Sequence, residues 1–232
     1  MAPRFYGTVC VQPNQESAEG YALWAASERS TDRNVHMNIF CDTSKAKDST
    51  EGGIAVTMVP WIPTQTAGAG QLPVSMAAWP VDNLIDSRLG EFLAVCEALF
   101  AAYQELERFS GHPVLVGKTV VIRIFNDNKY NLEYLNEVRY LDPWITTLAR
   151  PAIDMIATQS EALHTFPARV QLELHWIPGH EHSVHPHALA DQMAREAREK
   201  KMSFSTRRNN FWQSKEEGPM VRFLKEDLTQ AS

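Results

Sequence analysis

From His36 onward the chain alternates between two hydrophobic rhythms, one of period two and one near 3.6, and the alternation sets out its elements. In residues 36–42, Met37, Ile39 and Cys41 alternate with His36, Asn38 and Phe40, which predicts a strand ending at Asp42 before the polar loop TSKAKDSTE. GGIAVTMV, residues 52–59, reads as the return strand of a hairpin. The turn-rich stretch 60–73 is expected to be a long loop, and VSMAAW at 74–79 a third strand. Leu89, Phe92, Leu93, Cys96, Leu99, Phe100, Tyr103 and Leu106 then recur at the spacing of a core-facing helix, capped by Asp86 or Ser87 and stopped by Gly111. TVVIRIF, residues 119–125, is dense enough in β-branched residues for a strand buried on both faces, and a helix opens after it on Asn126 or Asp127. Asp142 followed by Pro143 begins another helix, which Pro151 either kinks or ends in favour of a successor. In VQLELHWI, 170–177, Val170, Leu172, Leu174 and Trp176 take one face while Gln171, Glu173 and His175 take the other. The loop PGHEHSVHPH leads into a last helix, ALADQMAREAREKK, at 188–201.

Hairpin, strand, helix, parallel strand, helices, strand and helix in that order predict an α/β sandwich with a mixed sheet. The periodic region spans 36–202. Residues 1–35, with a possible helix in YALWAASER, read as an N-terminal extension, and 203–232 as a C-terminal tail. With 44% apolar and 22% charged residues among 232, the composition excludes a wholly disordered chain. No apolar run approaches the length of a membrane span and the first residues lack a signal-peptide core, so the expected location is intracellular, with cytoplasm, nucleus and mitochondrion all compatible. Cys10, Cys41 and Cys96 are odd in number and far apart, which leaves neither a disulfide framework nor a CxxC zinc knuckle. His175, His180, His182, His185 and His187 raise a zinc site, but no cysteine or second spaced motif completes a tetrahedral set.

The net charge of −6 argues against a nucleic-acid partner unless carboxylates are collected at a divalent-cation site that can itself hold a phosphate. Their positions favour that exception. Asp42 closes the first strand, Glu91 lies in the first turn of the long helix, Asp127 follows the buried strand, and Asp191 lies in the first turn of the last helix. Sites in open α/β sheets form where strand ends meet helix starts. Beyond Asp191, the stretch from Arg195 to Lys215 is locally basic, with Phe204, Phe211 and Trp212 interleaved, a composition suited to phosphate contact and base stacking.

These residues resemble a known family. IFCDTS followed by GGIAVTM resembles the first hairpin of type 1 ribonuclease H, and RLGEFLAVCEAL resembles its first helix. VVIRIFNDNKY is similar to the strand that ends in T-D-S, and HWIPGH followed by ALADQMAREA to the ending W-V-P-G-H with its A-D-x-L-A helix. The resemblance implies a ribonuclease H-like α/β fold, a five-stranded mixed sheet flanked by helices on both faces. It implies that Asp42, Glu91, Asp127 and Asp191 bind two Mg²⁺ ions, with Mn²⁺ as substitute, and that His180 assists proton transfer or product release. Thr43, Ser44, Arg88, Asn128 and Lys129 match substrate-contacting positions. The implied partner is an RNA–DNA hybrid and the implied reaction is hydrolysis of its RNA strand, leaving a 5′-phosphate and a 3′-hydroxyl; no membrane is expected from the apolar runs, and protein partners are left open.

This sequence departs from the family pattern at three places. Thr43 stands where the family usually has glycine, Arg88 and Lys129 lie near positions that often carry Gln or Asn, and HSVHPHAL replaces G-N-E before A-D. A proofreading-type exonuclease would carry D-x-E on the first strand, where this chain has Asp42-Thr43-Ser44. The alternative from another class is a non-catalytic or weakly active nucleic-acid-binding or scaffolding module of the same fold. Such a module is expected to have lost at least one of four mutually repelling acids.

Overall fold

The computed structural model describes residues 4–28, 30, 31, 33–61, 74–179 and 183–205. Its strands are β1 (Thr8–Cys10), β2 (Asn34–Lys45), β3 (Gly52–Met58), β4 (Ser75–Val81), β5 (Thr119–Asn126), β6 (Arg169–Trp176) and β7 (Phe204–Ser205). Its helices are α1 (Gln15–Ser27), α2 (Ser87–Arg108), α3 (Lys129–Leu135), α4 (Pro143–His164) and α5 (His185–Lys200). They form one mixed sheet in the order β1-β6-β5-β2-β3-β4-β7. β1, β6, β5 and β2 run parallel, and β2, β3, β4 and β7 antiparallel. The predicted five-stranded mixed sheet is its centre, and the short strands β1 and β7 extend it at both edges. Among the described residues no helix is long and apolar enough to cross a membrane.

Two helical layers cover the sheet. On one face Met37, Ile39 and Cys41 of β2 and Ile122 and Ile124 of β5 pack with Phe92, Leu93, Cys96 and Leu99 of α2 and Ala152 and Ile156 of α4. On the other, Phe40 and Phe125 stack with ring centroids 4.6 Å apart and are covered by Ala22 and Ala25 of α1. Ala194 and Ala197 of α5 press on Ala55 and Ala78 beside them. The close seat of α5 depends on Gly53, because a Cβ there would lie 2.1 Å from the Ala194 carbonyl oxygen. Helix α1 also explains why polar positions of β2 are interior. His36 and Asn38, on the polar side of the alternation, are only 6% and 1% exposed, and α1 supplies their partners: Glu28 for His36, and the Ala25 carbonyl for the Asn38 amide at 2.7 Å.

Several boundaries differ from the sequence expectation, each for a local reason. β2 does not end at Asp42 but continues to Lys45, since Thr43, Ser44 and Lys45 stay in register with Ile54, Gly53 and Gly52. Asp86 caps α2 by accepting from the Arg88 amide. The helix after β5 opens on Asn128, whose side chain accepts from the Asn131 amide, rather than on Asn126 or Asp127. Pro151 lies within a single 22-residue α4 and starts no successor. α5 begins at His185, with Pro186 in its first turn, three residues ahead of the expected start. The loop at 60–73 lies outside the described residues from residue 62 on, as do residues 206–232 of the basic, aromatic tail.

Candidate active site

The parallel strands β2 and β5 deliver their C-terminal ends to one edge of the sheet, and there the backbone hands over to helix starts. Asp42 stands near the end of β2, Asp127 follows β5 directly, and Glu91 projects from α2, five residues into that helix rather than in its first turn. Ligand atoms from these three carboxylates lie within 4.8 Å of one another, the one group among the described residues arranged to hold a metal ion. Asp191 lines the same cleft, about 510 Å³ in volume, but from the second turn of α5, and Arg195 holds its carboxylate at 2.8 Å. All four predicted acids therefore open onto one space.

The acids dominate the electrostatics of the cleft. Burial pushes the Asp42 carboxyl well above its usual range, and the negative charges of Asp127 and Asp191 push it further. Glu91 is likewise raised well above the usual range, by burial first and then by Asp127 and Asp42. Asn126 works in the opposite direction. Its fully buried side chain donates to Glu91 Oε2 at 2.8 Å while its Oδ1 accepts from the Asn128 amide at 3.1 Å, so one residue orients a carboxylate and the α3 cap together. Hard oxygen ligands in this number fit Mg²⁺ or Mn²⁺ in ligand type, and among the described residues no sulfur or imidazole joins them to favour zinc. His175 is buried elsewhere, stacked 4.7 Å from Tyr21 and bonded to Glu173.

The other sequence-predicted residues divide. Thr43, Asn128 and Lys129 line the cleft, with the Lys129 ammonium 5.1 Å from the centre of the Trp176 ring. Thr43 Oγ1 donates to the Gly53 carbonyl at 3.1 Å, so its side chain is used in joining β2 to β3. Ser44 points to α5 instead, where its hydroxyl accepts from Arg198 at 2.9 Å. Arg88 folds back on Asp86 with contacts of 2.8 and 3.0 Å, and neither Ser44 nor Arg88 is among the residues lining the cleft. His180 and His182 lie outside the described residues.

Pattern reading missed Asn126, Gln15, Tyr130, Trp176 and Gly179. Asn126 follows the buried-strand run 119–125 and reads there only as a candidate helix opening. Trp176 carried a core signal, yet its indole N–H donates to the Asp127 carbonyl at 3.1 Å and its ring lines the cleft. Gly179 approaches so closely that a Cβ would sit 2.5 Å from Asp127 Oδ2. The fragment HWIPGH was the available signal for Trp176 and Gly179; nothing in the sequence pointed to Gln15.

Comparison with known proteins bears on the family. No curated protein matches the chain. Solved structures that are similar include RNase H1 from the halophilic archaeon Halobacterium salinarum, at 13% identity over 71% of this chain and 98% of that one, with a TM-score of 0.43. LC11-RNase H1, isolated from compost by a metagenomic approach, is 20% identical over 72% of this chain and 97% of its own, with a TM-score of 0.44. A second structure of LC11-RNase H1, in complex with an RNA/DNA hybrid, is 18% identical over 71% and 98%, with a TM-score of 0.43. The RNase H family model matches residues 34–199, well over half of the chain and the segment that carries all four acids. This chain belongs to the RNase H family.

Proposed function

We propose that this protein is an endoribonuclease that hydrolyses the RNA strand of RNA–DNA hybrids, leaving a 5′-phosphate and a 3′-hydroxyl. The observation that carries the reading is the carboxylate cluster of Asp42, Glu91 and Asp127, within 4.8 Å and joined by Asp191 in one cleft, in a chain of the RNase H family. Asp42, Glu91, Asp127 and Asp191 would hold two Mg²⁺ ions, or Mn²⁺ in their place. When bound, the cations supply water activation and stabilisation of the attacking and leaving oxygens. The chain's own residues do the rest. Asn126 aims Glu91, and Arg195 holds Asp191. Lys129 supplies a cation for the phosphodiester backbone, and Asn128 and Thr43 offer neutral hydrogen-bonding groups at the rim. His180 is assigned to proton transfer or product release. RNA is distinguished from DNA through the 2′-hydroxyl, which both donates and accepts.

Retention of all four acids favours catalysis over a non-catalytic module of the same fold, because carboxylates raised this far by burial and mutual repulsion destabilise a protein that never binds a cation. The test is incubation with a labelled RNA–DNA hybrid, an RNA duplex and a DNA duplex in Mg²⁺ or Mn²⁺. Cleavage of the hybrid's RNA strand alone, lost in Asp127→Asn, is the expected result. Hybrid cleavage that survives Asp127→Asn, or none with either metal, overturns the reading.

A further inference from the structure

Helix α1 precedes the residues that match the RNase H family model, yet it is built into the cleft. Gln15, directly after the Asn14 cap, lines the same space as Asp42, Glu91 and Asp127 and is itself exposed. The body of the helix is seated by its small residues. Ala22 and Ala25, with Tyr21 and Ala26 beside them, pack on Phe40 and Phe125 and also on Ile177 and Val184, the residues at the two ends of the connection between β6 and α5. The far end is locked by charge. Glu28 pairs with the buried Arg123 of β5, Arg123 is held in turn by Glu173 at 3.2 Å, and its guanidinium lies 5.1 Å from the Trp24 ring centre. A buried cation with carboxylates on two sides resists losing either one, so α1 is a fixed part of the sheet's second layer rather than a tethered arm.

We propose that α1 is a substrate-positioning element of this enzyme: it presents Gln15 to the nucleic-acid strand held at the carboxylates and braces Ile177, just after β6, and Val184, just before α5. The inference rests on the nuclease reading of the cleft. Its chemistry follows from charge. Apart from cations held by the four acids, Lys129 is the one positively charged side chain among the described residues that line the cleft. An uncharged carboxamide at the rim can donate to a phosphate or sugar oxygen without the repulsion that a further carboxylate would bring. Tyr130, Ser87, Thr43 and Asn128 offer similar groups from within the family-matched region; Gln15 alone reaches in from outside it.

The experiment compares wild type with Gln15→Ala, Gln15→Glu and Glu28→Gln. For Gln15→Ala, KM for the hybrid rises about tenfold with kcat nearly unchanged, the signature of a lost binding contact. Gln15→Glu raises KM further, and the thermal midpoint stays put in both because the side chain is exposed. Glu28→Gln leaves Arg123 its Glu173 partner, so the chain still folds; amide exchange accelerates in α1 and, together with it, at Ile177 and Val184. Wild type that cuts the hybrid while both Gln15 variants keep its KM overturns the Gln15 contact and leaves the nuclease reading standing. Faster exchange in α1 without change at Ile177 and Val184 overturns the brace. Wild type that cuts no hybrid overturns the nuclease reading itself, and the Gln15 contact with it.

Discussion

Glu91→Gln is expected to make the metal-free protein more stable while it destroys the metal site. Glu91 is buried, and its carboxylate lies within 4.8 Å of those of Asp42 and Asp127. At an effective dielectric constant of about 20, two unit charges 4.8 Å apart repel by about 3.5 kcal/mol. The site does not bear two such repulsions in full, because Asp42 and Glu91 take up protons instead, each tenfold gain in proton affinity corresponding to about 1.4 kcal/mol. A gain of about 3 kcal/mol follows for the neutral isostere at about pH 8, which in a domain of this size raises the melting temperature by about 6–12 °C. The amide can still accept the Asn126 hydrogen bond, so no buried donor is orphaned.

The sign with pH follows from linkage. Both carboxyls hold their protons more tightly folded than unfolded, where they titrate near about 3.9 and 4.3. The folded state therefore binds more protons, and the stability of the metal-free protein falls as pH rises from that range through the raised values. Glu91→Gln flattens that fall. Divalent cation narrows the difference: wild type gains about 2.7 kcal/mol at a hundredfold excess over Kd, and the variant, one ligand short, gains less. Circular-dichroism melts of both proteins across pH, in EDTA and in Mg²⁺ or Mn²⁺, measure each part. A variant that melts at or below wild type in EDTA at about pH 8, or a metal-free wild type that gains stability as pH rises, refutes the reasoning.

Two backbone approaches carry further predictions. Gly179→Ala places a methyl 2.5 Å from Asp127 Oδ2, and because that atom ends a flexible side chain the carboxylate swings away; Mn²⁺ affinity by calorimetry should fall about 10- to 100-fold with little change in melting temperature. Gly53→Ala meets backbone instead, 2.1 Å from the Ala194 carbonyl oxygen and 2.9 Å from the Arg198 nitrogen, so α5 must shift as a body. Denaturant unfolding should show a loss of about 1–3 kcal/mol, and an unchanged midpoint would contradict the seating of α5 on β3.

The periodicity of the sequence determined more of the layer that faces α2 than of the layer that faces α1. Met37, Ile39 and Cys41 announced a core face because apolar residues at period two have no other use. His36, Asn38 and Arg123 belong to the opposite layer, and the sequence named no partner for them, since a polar residue looks the same in sequence whether water or a buried partner satisfies it. Only the docking of α1 supplied those partners, Glu28 and the Ala25 carbonyl. The same division holds at the cleft. Asp42, Glu91, Asp127 and Asp191 were legible as acids at strand ends and helix starts, a local property of the chain. That Asn126 aims one of them, that Ser44 and Arg88 are engaged elsewhere, and that Gln15 lines the cleft of the acids depends on residues remote in sequence meeting in space. Local pattern supplied the ligands and the elements that bear them; the packing of α1 and α5 against the sheet decided which side chains share the cleft, because burial, charge pairing and close backbone approach exist only between elements already brought together.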